Sequence, residues 1–313
     1  MLRPEEFHDA IEEASGRIAP YIRRTPTMAF NAGDLGVPSP AYLKLECLQH
    51  TGSFKARGAF NRLLSNDVPA AGVIAASGGN HGVAVAYAAQ ALGHKADIFV
   101  PEISSPVKVQ RLRDYGANVN IVGATYAEAL TASELRVRET GALVVHAYDQ
   151  AEAIAGQGTT ARELEAQEGT FDTLVVAVGG GGFIGGIAAW HQGQTQIVAV
   201  EPKNCPTLHA AREAGTPVNV DVGGVAADAL GAKQIGKYAF AIAESYIAHC
   251  VLVDDAAIRD AQTRLWCDLR VLAEPAGAAA LAALTSGVYQ PEKGERVAIM
   301  VCGSNADPAI FAD

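Results

Sequence analysis

The feature that most limits how this chain can fold is an alternation along its length. Short apolar runs, "AGVIAAS" (71–77), "KADIFVP" (95–101), "FDTLVVAV" (171–178), "QIVAVEP" (196–202) and "RVAIMVCGS" (296–304), are separated by longer stretches of helical pattern such as "HGVAVAYAAQAL" (81–92), "PVKVQRLRDYG" (106–116) and "FIGGIAAWHQ" (183–192). Strands that are apolar at nearly every position are covered on both faces, and parallel neighbours need crossovers long enough to hold a helix. The alternation therefore predicts an α/β protein. No fixed-period repeat, low-complexity tract or Pro/Ser-rich linker breaks it. A second domain would be inserted within the first.

A chain of 313 residues, 49% hydrophobic and 19% charged, can bury a full core and has room for two domains. Its formal net charge of −10, with no Lys/Arg cluster, argues against nucleic acid or an anionic membrane as a partner. Small molecules remain. The start "MLRPEEFHDAIEEA" lacks the apolar stretch of a signal peptide, and the apolar run Leu174 to Trp190 is short for a bilayer span and holds six glycines. Cysteines 47, 205, 250, 267 and 302 are odd in number and form no C-x-x-C pair, so neither a disulfide framework nor a zinc site is expected. A reducing cytoplasm fits.

Two glycine-bearing turns follow strands. In "ASGGNHG" (76–82), Gly78 and Gly79 allow close backbone approach while Ser77 and Asn80 supply polar groups at a helix start. This is an anion cradle or an ordinary cap. In "VAVGGGGFIGG" (176–186), four consecutive glycines, Gly179, Gly180, Gly181 and Gly182, join a buried strand to a helix. Successive glycine N–H groups can point into one concavity, and the helix dipole adds attraction for phosphate. A tight turn alone needs one or two glycines. The same stretch matches G-x-G-x-x-G through Gly180, Gly182 and Gly185, with Glu201 ending the next strand 21 residues after Gly180, the pattern of a dinucleotide site.

In "TGSFKARGAF" (51–60), Lys55 stands among small and apolar residues at a strand-to-helix turn. The positive end of a helix dipole disfavours an ammonium and lowers its pKa. A neutral amine is a nucleophile able to form a Schiff base. The dinucleotide reading gives this lysine no role.

"TGSFKARGAF", "SGGNHG", the four-glycine turn, "EPAG" (274–277) and "VCGSN" (301–305) occur in the order, and with roughly the spacing, of the pyridoxal-phosphate enzymes of fold type II. The chain resembles the serine/threonine dehydratase and serine racemase group of that family from about Tyr21 to Asp307. The resemblance implies a tryptophan synthase β-like architecture: two open, twisted, mostly parallel sheets with flanking helices. A large cofactor domain would comprise 1–65 and 150–313, and a small substrate-closing domain 66–149. It implies that Lys55 forms the Schiff base with pyridoxal 5'-phosphate, that Phe54 borders the cofactor, that Gly179 to Gly182 hold its phosphate, and that Asn80 bonds the ring 3'-hydroxyl. Cys302, with Ser304 nearby, would face the pyridine nitrogen, and Glu274 would lie close by. A thiol or hydroxyl partner leaves that nitrogen near neutral, which favours elimination over transamination.

The substrate carboxylate would rest on Ser77, Gly78, Gly79, Asn80 and His81, with Tyr148 near the substrate side chain. An L-β-hydroxy amino acid would then lose its hydroxyl and yield a 2-oxo acid and ammonia. Racemases of the group carry a serine where this chain has Gly78, so racemisation should be poor. Thr207 stands where relatives often place a second acid beside the counterpart of Glu201, so no metal is expected. The family also suggests a homodimer, and the length leaves no room for a C-terminal amino-acid-sensing domain. No arginine is evident to pair with a second substrate carboxylate, which points to threonine, serine or a bulkier analogue such as phenylserine. Three other readings are a serine racemase, a nicotinamide dehydrogenase and a non-catalytic phosphometabolite-binding protein.

Overall fold

The computed structural model describes residues 2–311 and contains two sheets. With strands numbered in chain order, the larger sheet holds β1 (Thr27–Phe30), β2 (Ala41–Lys44), β7 (Thr173–Ala177), β8 (Gln196–Pro202), β9 (His249–Val253) and β10 (Val297–Met300), in the order β1-β2-β10-β7-β8-β9. Its strand pairs are parallel except β1 with β2. The smaller sheet holds β3 (Val73–Ala76), β4 (Ala96–Val100), β5 (Asn118–Ile121) and β6 (Leu143–Val144), ordered β5-β4-β3-β6 and parallel throughout. The α/β expectation holds. The antiparallel edge strand β1, the strand β9 and the 18-residue helix Ala151–Glu168 lie outside the runs singled out in the sequence.

Strand composition follows position. β7 and β10 are buried at every residue, whereas β5, "NVNI", is the polar edge of the small sheet and lies partly in solvent. The helix Pro275–Thr285 is apolar all round and buries every residue from Ala276 to Leu284, packed against the central strands of the large sheet. That is the pattern of a helix enclosed in a core.

The helix Lys55–Leu64 ties the layers together. Its Ala56, Ala59, Phe60 and Leu63 join the core beneath the small sheet. Its opposite side packs on the helix Ala151–Glu168 so closely that a Cβ at Gly58 would collide with Gln157 Nε2, and one at Gly156 would lie 2.6 Å from the Arg57 carbonyl oxygen. Lys55 thus starts an element held on both sides.

The same helix carries a buried ion network. The Arg57 guanidinium donates to Glu46 at 2.7 and 2.8 Å and to Glu163 at 3.0 Å, and Lys44 Nζ donates to Glu163 at 2.6 Å. Arg57, Lys44 and Glu46 are fully buried. Two cations and two carboxylates balance, so removing one leaves an uncompensated charge in the interior. Replacing Arg57 with Met is expected to lower the unfolding free energy by about 3–5 kcal/mol in urea titrations, far more than an exposed ion pair would cost.

Candidate active site

The two glycine turns and the last strand deliver their carboxyl ends to one cleft. β3 runs into Ser77–Gly79 and the helix Asn80–Ala91, β7 runs into Gly179–Gly181 and the helix Gly182–His191, and β10 runs into 301–305. Crevices at the carboxyl ends of parallel strands, lined by helix N-termini, are where α/β proteins bind ligands.

Lys55 enters this cleft without a preceding strand. The lead-in is the 3₁₀ turn His50–Gly52 and a single bridge pairing Ser53 with Gly303. Its Nζ donates to the Ala147 carbonyl oxygen at 2.8 Å and lies 5.1 Å from the centre of the Phe54 ring. Burial is the leading cause that lowers the amine's pKa to about 8, with the electrostatic influence of the nearby Glu274 carboxylate opposing it. A substantial fraction is therefore neutral near pH 8. Lys44, the fully buried lysine described above, is held by a carboxylate; Lys55, a half-buried residue, has only a neutral carbonyl.

The four-glycine turn forms a cradle. The amides of Gly179, Gly180, Gly181 and Gly182 donate no hydrogen bond to any described residue. They stand at the start of the helix Gly182–His191, and Gly181 holds a left-handed conformation with φ 87°. Four free donors at the positive end of a helix suit a phosphate group. The Tyr148 ring lies against this turn, where a Cβ on Gly180 would collide with Tyr148 Cδ1. The Tyr148 hydroxyl donates to the Gln234 carbonyl oxygen at 3.2 Å, and Phe54 stacks on Phe183, one residue beyond the glycines, with ring centres 4.0 Å apart.

Across the cleft, the amides of Gly78, Asn80 and His81 likewise have no acceptor among the described residues, while the Gly79 amide donates to Ser77 Oγ at 3.3 Å. The His81 ring points elsewhere. It is buried, its Nε2 meets the Val145 carbonyl oxygen at 2.8 Å, and burial followed by the Lys55 charge lowers its pKa to about 3. His81 therefore offers a ligand its backbone amide, not its ring.

Glu274 precedes the helix Pro275–Thr285 but does not cap it; its Oε1 accepts from Asn80 Nδ2 at 2.6 Å. Burial is the main cause that raises its pKa to about 7, against the lowering effect of the Asn80 bond. A carboxyl whose folded pKa is raised is favoured when protonated, so its contribution to stability is greatest at low pH and is lost as pH rises from 4.5 towards 7. Ligand-free Glu274→Gln should accordingly be more stable than the parent at pH 8 by about 1–3 kcal/mol. Thermal melts should show the difference closing as pH falls through 7 towards 4.5. Cys302 donates its thiol to the Ala276 carbonyl oxygen at 3.3 Å, and burial pushes its pKa well up, so it stays a neutral thiol. The Ser304 hydroxyl donates to the Cys47 carbonyl oxygen at 2.8 Å.

Glu201 lies away from the cleft. Its buried carboxylate accepts from the amides of Leu208 and His209 at 2.7 and 2.8 Å, capping the helix Thr207–Ala214. That commitment removes the ribose ligand the dinucleotide reading requires. The Thr207 hydroxyl donates to the Ala232 carbonyl oxygen. Among the described residues no group of three or more His, Cys, Asp or Glu side chains is placed to hold a metal ion.

A partly neutral amine, a row of unpaired amides at a helix start and a neutral thiol are the groups a phosphorylated carbonyl cofactor would need. Residues 18–303 match the pyridoxal-phosphate dependent enzyme family, and the chain belongs to it. Its cofactor is pyridoxal 5'-phosphate. The chain is 36% identical over 312 residues to the phenylserine dehydratase of Ralstonia pickettii, with 97% of this chain and 94% of that one covered. Among solved structures, maize serine racemase superposes with a TM-score of 0.90 at 32% identity, covering 97% of this chain and 95% of that one. The threonine deaminase of T.th. gives 0.89 at 34% identity, covering 96% and 98%. The two-sheet architecture is the one these neighbours share, that of fold type II.

Proposed function

We propose that this chain is an ammonia-lyase that dehydrates and deaminates an L-β-hydroxy amino acid to a 2-oxo acid and ammonia. The observation that carries the reading is Lys55, a half-buried lysine whose amine has a pKa near 8 and no carboxylate partner. When bound, pyridoxal 5'-phosphate supplies the electron sink that makes the substrate Cα–H acidic. Gly179 to Gly182 would hold its phosphate, Phe54 and Asn80 would border its ring, and Cys302 and Ser304 would lie by the ring nitrogen. The free amides of Gly78, Asn80 and His81, with Ser77 and Gly79, would receive the substrate carboxylate. Lys55 Nζ would then take the α-proton. With Cys302 a neutral thiol, no carboxylate next to the ring nitrogen would hold a proton there, which supports elimination.

We read the small unit as 66–149 and the large as 1–65 with 150–313, with closure over the cleft excluding water. Helix Lys55–Leu64 contributes to the core under the small sheet, so it is the natural pivot. A mainly apolar cavity of about 100 Å³, lined in part by Tyr126, Leu130, Val137 and Val145 but also by Ser133 and Glu134, opens beside Ala147, whose carbonyl holds Lys55. It supports an apolar or aromatic β-substituent, in keeping with the phenylserine dehydratase relative. Five unpaired cysteines support a reducing cytoplasm, where we place a homodimer.

The serine racemase likeness supplies a second reading. Racemisation needs a proton donor on the face opposite Lys55, and Gly78 has no side chain; a Cβ there would meet Ser104 Oγ at 3.3 Å and Val100 Cγ1 at 3.5 Å. Phenylserine, threonine and serine, supplied as L-isomers, are expected to yield 2-oxo acid and ammonia with negligible D-isomer. Chiral chromatography of early time points decides: D-isomer forming as fast as oxo acid would make the protein a racemase.

A further inference from the structure

A chain of polar groups runs from the helix Pro106–Asp114 of the small unit, through Thr51 and Asn305 of the large unit, back to Asn80 of the small unit. Arg111 Nη1 donates to Asn305 Oδ1 at 2.6 Å, and Arg111 Nη2 donates to the Thr51 carbonyl oxygen at 2.9 Å. Asn305 Nδ2 donates to Asn80 Oδ1 at 2.6 Å and to the same Thr51 oxygen at 3.0 Å. Asn80 Nδ2 donates to Glu274 Oε1 at 2.6 Å. One turn before Arg111 on the same helix, Lys108 Nζ meets Asp228 Oδ1 at 2.5 Å, a second link between the small and large units.

The polarity of this chain runs one way. A guanidinium only donates and a backbone carbonyl only accepts, so Arg111 and Thr51 together force Asn305 to present Oδ1 to the former and Nδ2 to the latter. Asn305 can then offer Asn80 only a donor, which turns Asn80 Oδ1 towards Asn305 and its Nδ2 towards Glu274. One N–H of that amide is used by Glu274, and the other is left for an acceptor in the cleft. The reversed Asn80 would set its NH2 against the Asn305 amide hydrogens and, when Glu274 is ionised, its oxygen against that carboxylate. Thr51, at φ 64°, lies four residues before Lys55, so the same guanidinium also braces the segment that leads into the lysine.

We propose that Arg111 and Asn305 are positioning residues that fix the orientation of the Asn80 amide towards the cofactor ring. The proposal rests on the reading that Asn80 meets the cofactor. Neither residue touches substrate or cofactor; both act through Asn80. Asn305 ends the "VCGSN" stretch, whereas nothing in the sequence around Arg111 distinguishes it from a solvated helix charge.

The test uses the full chain with Arg111→Met, which keeps the stem without the donors, Arg111→Lys, Asn305→Ala, Asn80→Ala, and the double variant Arg111→Met/Asn305→Ala. Pyridoxal 5'-phosphate affinity of the ligand-free protein, its melting temperature, and kcat and KM of the loaded enzyme are measured. Arg111→Met should weaken cofactor binding and lower kcat by roughly tenfold each, as for loss of a charged hydrogen bond, with KM and melting temperature little changed. Arg111→Lys should recover part of both losses. The double variant should be no worse than Asn305→Ala by more than about twofold, because both act through one chain. Multiplicative effects, or a kcat and affinity for Arg111→Met like those of the parent, would overturn the relay. If Asn80→Ala alone weakens cofactor binding, the reading of Asn80 stands and only the relay fails. If Asn80→Ala binds the cofactor as the parent does, both fail.

Discussion

Replacing Lys55 with Ala is expected to abolish covalent capture of the cofactor and to reduce turnover by at least about 10³-fold, since one group supplies both nucleophile and base. The fold should survive. A lysine whose folded pKa is depressed to about 8 is penalised while it must carry a proton, and the penalty is lifted only as pH rises from 8 towards 10.5. At pH 7, ligand-free Lys55→Ala should therefore melt no lower than the parent. Borohydride reduction of the loaded parent, followed by peptide mass mapping, should place the cofactor on Lys55, and a label on any other lysine would refute the assignment. The same depression predicts that the rate of cofactor capture by the ligand-free parent rises with pH through about 8.

Substituting Val for Gly181 should weaken pyridoxal 5'-phosphate binding by about 100-fold or more, because two costs combine. At φ 87° a β-branched residue is strained, and its Cβ would stand 2.5 Å from that of Ala239 and 2.7 Å from Ile235 Cδ1. Relief of either contact moves the amides that form the cradle. Gly180→Val should act differently: φ there is ordinary, and the collision is with the Tyr148 ring. Displacing Tyr148 would disturb the substrate side of the cleft as well, so its kcat and KM should change beyond what weaker cofactor binding explains. Equilibrium dialysis of the ligand-free variants, followed by kinetics at saturating cofactor, separates the two. A Gly181→Val variant that binds as tightly as the parent would rule out the cradle.

The candidate site was legible to the extent that its chemistry is written in adjacent residues. The glycine run, the turn "SGGNHG" and Lys55 at a helix start each announce a local backbone requirement. Glu201 was visible too, as a possible ribose or metal ligand, but only the fold shows its carboxylate spent on the helix Thr207–Ala214. His81 was legible as a member of the turn expected to receive the substrate carboxylate, but the direction of its ring was not. Its ring turns into the small unit because Val145 supplies an acceptor there, 64 residues away.

By itself the sequence determined what depends on neighbouring residues: apolar runs that must be buried on both faces, the crossovers between them, and glycine turns whose free amides lie at helix starts. These are consequences of backbone sterics and hydrogen bonding over a few residues. Only the tertiary structure decided how charge is distributed around Lys55. Its amine is lowered chiefly by burial, Glu274 is raised by burial and joined to Asn80, and Arg111 reaches Asn305 across the cleft, 194 residues along the chain. Desolvation and hydrogen-bond polarity depend on which distant groups share an enclosed space, and that partnership exists only once the two sheets have packed around the helix Lys55–Leu64.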